Sequence, residues 1–303
     1  MKTKINKIKA WQMQRENLTG WAFVAPALIG FLFFFFIPIL TGVYFSFTDF
    51  NGFNLDLMKF VGMDNYVQMF SDEYFVNALK NNVIYALLFT PLTLLAALFF
   101  ATALNYVKAG RRFFRVCYFL PYITAMASVA VIWKQIFNPT NGPLNLLLMG
   151  IGISDPPKWL MSSDWALFST VVVSVWKNFG YYMLILLAGM QTIPDFLHEA
   201  AKIDGASAFQ RYRKITLPLL SPTIFLCIVM LLINSFQVFD LVNVLTKGGP
   251  GYATQVVVYR IYTEAFTRSH MGYASAIAYF LSLMVLVITA IQFIGQKYWV
   301  HYE

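Results

Sequence analysis

The sequence predicts an all-α, polytopic membrane protein with six transmembrane helices, and three observations carry that reading. Apolar residues make up 59% of the 303-residue chain and charged residues only 12%, about half the charged share of a soluble domain. Six apolar stretches are each long enough to cross a hydrocarbon core of ~30 Å as a helix. Lys and Arg are spread unevenly over the segments between them. Lipid offers no partners to backbone N–H and C=O groups, so a single chain crosses it as helices that satisfy those groups internally.

Residues 1–20 form a polar, basic tail with Lys2, Lys4, Lys7, Lys9 and Arg15, and the first span follows at about 21–47 without a charge. The pairing resembles a secretion signal, but the apolar run far exceeds the ~7–15 residues of such a segment. No small-x-small cleavage site closes it, so it reads as a retained span, bent at Pro26 and Pro38. An acidic segment, 48–80, leads to span two at about 82–106, which contains Pro91. A basic turn with Lys108, Arg111, Arg112 and Arg115 precedes span three at about 114–137. Residues 138–164 are rich in turn chemistry (NPTNGP, SDPP), and span four covers about 165–193. After a polar segment, span five runs over about 219–245. The loop 246–271 contains Lys247-Gly248-Gly249-Pro250-Gly251, read as a tight turn. Span six occupies about 272–298 and residues 299–303 form a short tail.

Six spans put both termini on one side. Fourteen Lys and Arg residues lie in the segments on that side and six in the opposite loops, so the positive-inside rule places both termini and the segment between spans four and five in the cytoplasm. This placement also accounts for the net charge of +8 without invoking nucleic acid. Cys117 and Cys227 each lie in an apolar run, where a cysteine acts as a small buried hydrophobe rather than half of a disulfide. His198, His270 and His301 share no ligand spacing, so no metal is expected. No G-x-x-x-x-G-K-[ST] sequence is present, so the chain is not expected to bind or hydrolyse ATP by itself. No nucleophile and base occur with polar support, so a membrane-embedded hydrolase has little basis.

Polar residues inside spans are costly and tend to mark pathways. In span four, Lys177, Asn178 and Tyr181 fall within one third of a helix circumference, beside Tyr182. In span five, Asn234, Gln237 and Asp240 recur at three-residue spacing, again on one face of the expected helix. Amides, a carboxylate and aromatic rings suit a polyhydroxylated ligand, since amides bond hydroxyls and rings pack against sugar C–H faces. Two other readings stand beside this one. Asn234 and Gln237 can hold helices together, and Lys177 can pair with Asp240 as a structural ion pair between spans four and five.

The segment Pro194–Pro222 carries more local order than a solvated turn needs. Glu199-Ala200-Ala201 has the look of a helix start, Gly205 marks a break, and Ile215 and Leu217-Pro218 lead back into apolar sequence. This spacing resembles the EAA signature of ABC importer permeases. Asp204 beside Gly205, with Pro222 beyond, is similar to the carbohydrate-uptake branch, the maltose-type first permease subunit. Phe119-Leu120-Pro121, Ala188-Gly189-Met190-Gln191-Thr192-Ile193-Pro194 and Leu245-Thr246-Lys247-Gly248-Gly249-Pro250 agree with it, and the resemblance covers nearly the whole chain from Trp21. The large outer-loop insertion of some maltose-type subunits is missing, and Tyr212 stands where the family often has Phe.

The resemblance implies a type I ABC importer permease fold in a prokaryotic plasma membrane, moving a sugar or oligosaccharide inward. It implies a second permease subunit in a heterodimer, two ATPase subunits that hold the ATP and Mg, and an extracytoplasmic solute-binding protein docked on the outer loops. Segment 194–218 would be the coupling loop, a helix from near Glu199 seated in a cleft of the ATPase. Glu199 would pair with a basic residue there, and Ala200 and Ala201 would permit close approach. Gly205, next to Asp204, would allow the sharp turn, and Pro218 would take a first-turn position where its missing N–H costs nothing. The rival from another class is an ion-coupled secondary transporter, which commonly shows inverted repeats; no such repeat is evident.

Overall fold

A computed structural model describes residues 19–107 and 109–300. Most of the expected N-terminal tail, Lys108 of the basic turn and the last three residues of the C-terminal tail lie outside them. Four long apolar helices and two sharply bent helix pairs give the six spans. Span one is α1, Thr19–Ser46. Pro26 leaves it uninterrupted, and Pro38 follows a π-helical segment, Leu32–Phe36, in which Ile37 N–H reaches back to Leu32 O. The widened turn accommodates the missing proline N–H, so α1 is not broken where bends were expected. Residues after α1 form an antiparallel bridge between Thr48 and Phe60, and the short α2, Asp64–Ser71, follows.

Span two, α3, runs from Glu73 to Tyr106, nine residues earlier than the hydropathy suggests. Asp72 caps it by accepting a hydrogen bond from Tyr74 N–H at 2.9 Å, and Glu73 adds a carboxylate to the first turn, where the helix dipole favours it. At 1.5 Å per residue the helix is about 51 Å long, so its polar first turns stand clear of a ~30 Å core. Span three is a bent pair, α4 (Arg111–Ile123) and α5 (Met126–Ile136), at 96°. The loop beyond it folds into α6, Pro143–Gly150. Span four, α7, is the unbroken Ser163–Thr192. The polar segment holds α8, Asp195–Ile203.

Span five is a second bent pair, α9 (Ala208–Leu219) and α10 (Ser221–Phe236), at 65°. It ends at Phe236 and not near 245. The chain then turns through Phe239 (φ −140°, ψ −61°) into α11, Asp240–Leu245. Leu241, Val242 and Leu245 are buried in a cluster with Val129, Ala130 and Val173 or close to it. An apolar run packed inside protein and one facing lipid have the same hydropathy, which is why the sequence extends the span too far. α12, Val257–Tyr262, and α13, Met271–Gly295, complete the chain.

α7 is the central helix, packed along α3 and α4 and against α10. The core where α3, α7 and α10 meet contains Tyr85, Phe89, Ala97, Met183, Leu186, Cys227 and Leu231. Cys227 is buried as expected, but Cys117 is exposed on α4; its apolar neighbours face outward with it, so an apolar run did not mean an interior position. α1 packs on α13, with Tyr279 donating to Ile39 O, and presents much of its apolar surface outward. Gly180 lets α4 lie directly on α7. A Cβ at this position would stand 1.7 Å from Tyr118 O, so Gly180→Ala is expected to push the two helices apart at a cost of about 2–3 kcal/mol. The yield of monodisperse protein and its melting point in detergent measure this; wild-type values for both would refute it.

The loop 246–271 is far more ordered than a solvated connection. Lys247, Gly248 and Gly251 have positive φ, as the expected tight turn requires. Asn82 donates to Ser235 O at 3.0 Å and accepts from Val257 N–H at 2.9 Å, while Asn81 donates to Tyr252 O and Gln255 O. Arg260 lies 2.8 Å from both Asp72 and Glu264, and Arg268 and His270 also meet Glu264. Buried charges persist where they are paired in this way. Burial pushes the Asp72 carboxyl up. Hydrogen bonds from Tyr273 and Arg260, the Arg260 charge and the Tyr74 N–H outweigh that effect and hold it below the usual carboxylate range. The loop is thereby locked onto the start of α3.

Candidate functional site

Two groups of residues stand out, one on the polar segment between spans four and five and one at the bend of span three. The first is α8. It starts at Asp195 after Pro194, so Glu199 sits mid-helix rather than at its start. The helix stops in a Schellman motif: Ala206 N–H bonds Ala201 O at 2.9 Å and Gly205 N–H bonds Lys202 O at 3.1 Å. That closure needs a left-handed residue, and Gly205 has φ +78°. The three-residue interval between Ala201 and Gly205 is therefore the geometry of a helix C-cap. α9 begins three residues later with a capping box, Ser207 and Gln210 each bonding the other's backbone N–H.

None of the α8 residues is buried. Glu199, Ala200, Asp204 and Gly205 are exposed and Ala201 is half-buried. Beside them stand three large apolar side chains left largely exposed among the described residues: Phe196, Ile203 (86% exposed) and Phe209. Patterning alone did not single out these three, although three bulky apolar residues in the most polar segment were a usable signal. Ile215, Leu217 and Pro218 are half-buried and belong to the return helix. Pro218 lies well inside the continuous path of α9, which contains the π-helical turn Tyr212–Thr216. The first-turn role expected for it belongs to Pro222, at the start of α10, and the change of direction falls at Leu220.

The second group lies at the bend of span three. Lys177 does not pair with Asp240. Its Nζ donates to Pro121 O (3.0 Å), Tyr122 O (2.9 Å) and Thr124 O (2.6 Å). These carbonyls end α4, where Thr124 turns extended, and a cation at a helix C-terminus is favoured by the dipole. The carbonyls exposed by the 96° bend had to find donors, and α7 supplies one ammonium for three of them. Asp240 is exposed at the start of α11, with no ion-pair partner among the described residues.

Around that bend, Tyr122 and Tyr181 stack at 4.5 Å between ring centroids, and Tyr182 meets Tyr181 edge-on. Tyr182 is buried and its hydroxyl accepts from Asn234 Nδ2 at 2.9 Å. Asn178 donates to Ser174 O of its own helix. Asn234 and Gln237 are exposed, but Gln237 is the residue at which α10 stops and Asp240 lies beyond the break. The three-residue spacing of Asn234, Gln237 and Asp240 therefore does not describe one helix face. Tyr122, Tyr181, Tyr182 and Asn234 are brought together. Tyr122 was not among the expected residues, because only the bend carries it to α7.

Residues 75–300 match the family model of binding-protein-dependent transport system inner membrane components. The chain is 40% identical over 299 residues to the probable ABC transporter permease protein YesP of Bacillus subtilis (strain 168), covering 97% of this chain and 96% of that one. It is 36% identical over 282 residues to the sn-glycerol-3-phosphate transport system permease protein UgpA of Escherichia coli O157:H7, covering 92% and 94%. Among solved structures, a bacterial ABC transporter involved in the import of the acidic polysaccharide alginate superposes with a TM-score of 0.81 at 26% identity, covering 95% of this chain and 98% of that one. A second structure, of the alginate transporter in complex with alginate pentasaccharide-bound periplasmic protein, gives 0.80.

Proposed function

This chain belongs to the binding-protein-dependent transport system inner membrane components, and from that premise we propose that it carries a sugar, oligosaccharide or similar polyhydroxylated solute into the cytoplasm. It is a transmembrane permease subunit of an ABC importer, a transport subunit rather than an enzyme. Family membership leaves the ion-coupled alternative without support. The solute class rests on the relatives, one a glycerol-phosphate permease and one an alginate importer, and on the aromatic and amide groups gathered at the α4–α5 bend.

In this reading both termini and α8 face the cytoplasm, on the side where Lys and Arg accumulate, and the membrane is the prokaryotic plasma membrane. ATP and Mg bind on two separate ATPase subunits, a second permease completes the pathway, and the outer loops dock a solute-binding protein. The observation that carries the coupling assignment is the exposed surface of α8, where Glu199 and Ala200 lie among Phe196, Ile203 and Phe209. An apolar patch of this kind on a polar segment marks a partner site.

The solute assignment is tested with Tyr181→Ala and Asn234→Leu in the reconstituted transporter. Each is expected to lower uptake at least about tenfold while assembly survives, the size of effect that follows from losing one or two good contacts to a bound sugar. Size-exclusion of the assembled complex is the control. If both variants fail to assemble, the Asn234–Tyr182 bond is structural glue and the pathway assignment is wrong.

A further inference from the structure

One cavity, lined by none of the clustered tyrosines, lies where the ends of α3 and α7 meet the start of α4 and the turn into α8. Its volume is about 1120 Å³, and Arg111, Arg112, Arg115, Arg211 and His198 line it with a single carboxylate, Asp195. None of the four arginines is in an ion pair among the described residues. Two are fixed by backbone carbonyls: Arg111 donates to Val107 O (2.9 Å) and Asn105 O (2.7 Å), and Arg211 to Ala206 O (2.6 Å). Those bonds hold the guanidinium groups in place without compensating their charge. Arg115 Nε is closed off from solvent with no hydrogen-bond partner. α4 also opens here at Gly110 with no side-chain cap, so its first N–H groups add positive potential.

A closed-off guanidinium donor lacking any acceptor, as at Arg115 Nε, is costly, and four arginines without a carboxylate partner around one cavity call for an anion. We propose that this cavity binds a phosphate-bearing ligand, held by the planar forks of Arg112 and Arg115, which match phosphate oxygens in pairs. Two sources share that chemistry. One is the headgroup of an anionic phospholipid, its acyl chains lying along the exposed Phe113, Phe114 and Val116 of α4. The other is a soluble sugar phosphate. Its lining shares no residue with the tyrosine cluster of the proposed solute pathway, so on that reading its occupancy would modulate transport rather than be transported.

The test uses the assembled transporter in phosphatidylcholine nanodiscs. One arm adds phosphatidylglycerol and reads retained lipid by native mass spectrometry. The other adds glucose 6-phosphate and reads binding by equilibrium dialysis. Binding is expected in one arm, which names the source, and the Arg112→Gln/Arg115→Gln double variant is expected to weaken it at least about tenfold, the loss set by one or two charge-assisted bonds. Should the double variant not assemble, Arg112→Gln alone alters only an exposed side chain and is expected to weaken binding several-fold. The proposal is overturned if the assembled transporter binds neither probe, as it would with an ATPase surface filling the cavity. It is equally overturned if the variants bind like the wild type. Failure would leave the solute reading untouched, because binding and not uptake is measured.

Discussion

Lys177→Met is expected to abolish uptake and to destabilise the permease by about 5 kcal/mol, since it leaves three carbonyls of a bent span without a donor at ~1–3 kcal/mol each. The ammonium stands at the C-terminal end of α4, bonded to Pro121 O, Tyr122 O and Thr124 O. Without it the three carbonyls at the 96° turn between α4 and α5 have no donor from α7, and the stacked Tyr122 moves with the turn. Lys177→Arg is expected to recover only part of the loss, because a planar fork cannot point three donors at one converging set of carbonyls. Asp240→Asn separates this account from an ion pair. It is expected to leave melting unchanged, since Asp240 is exposed and Lys177 is satisfied elsewhere. Thermal unfolding in detergent and ATP-driven uptake measure both outcomes. A Lys177→Met protein that melts like the wild type, or an Asp240→Asn protein that matches its loss, would defeat the assignment.

That residue shows where reading the sequence stopped. Lys177 was visible as a charge inside an apolar run, and its rarity there identified it as important. Its partners were not visible, because backbone carbonyls become acceptors only where a helix breaks, and the break at Thr124 has no strong local signal. The same limit applies to span five. The run from Leu219 to Leu245 reads as one span, yet Leu220 bends it and Phe239 ends it, and α11 buries its apolar residues in protein instead of lipid. Hydropathy reports that a segment avoids water and not which apolar surroundings receive it. By contrast, the break at Gly205 was legible, since Ala201 and Gly205 are set by the fixed geometry of a helix C-cap, although the helix starts at Asp195 and not near Glu199. The tight turn at Lys247–Gly251 was legible for the same local reason. The lock of Asn81, Asn82, Arg260 and Glu264 over that turn was not, for it depends on residues ~170–190 positions apart in the chain meeting.

Gly205 and Glu199 offer the sharper test of coupling, because this chain's own fold constrains them so little. Gly205→Ala is expected to cost about 1 kcal/mol, from placing a Cβ at φ +78°. Among the described residues nothing lies within 4 Å of that Cβ and Gly205 is exposed, so Gly205→Trp meets the same backbone penalty with open space at its Cβ. In the proposed docking, excess loss in the Trp variant comes from a partner surface that approaches the turn. Glu199→Lys works by the same logic. Glu199 is exposed without an ion-pair partner among the described residues, and a surface substitution of this sort changes stability by only about 0.5 kcal/mol. If α8 docks on an ATPase as proposed, with a basic residue opposite Glu199, the reversed charge costs several kcal/mol. Uptake is therefore expected to fall at least about a hundredfold in Gly205→Trp and Glu199→Lys, with the ATPase lost on purification. Gly205→Ala is expected to keep the ATPase and a substantial part of its uptake. A Trp variant no worse than the Ala variant would mean that the turn faces solvent. A Glu199→Lys permease that still holds its ATPase and transports would show that α8 does not transmit the stroke.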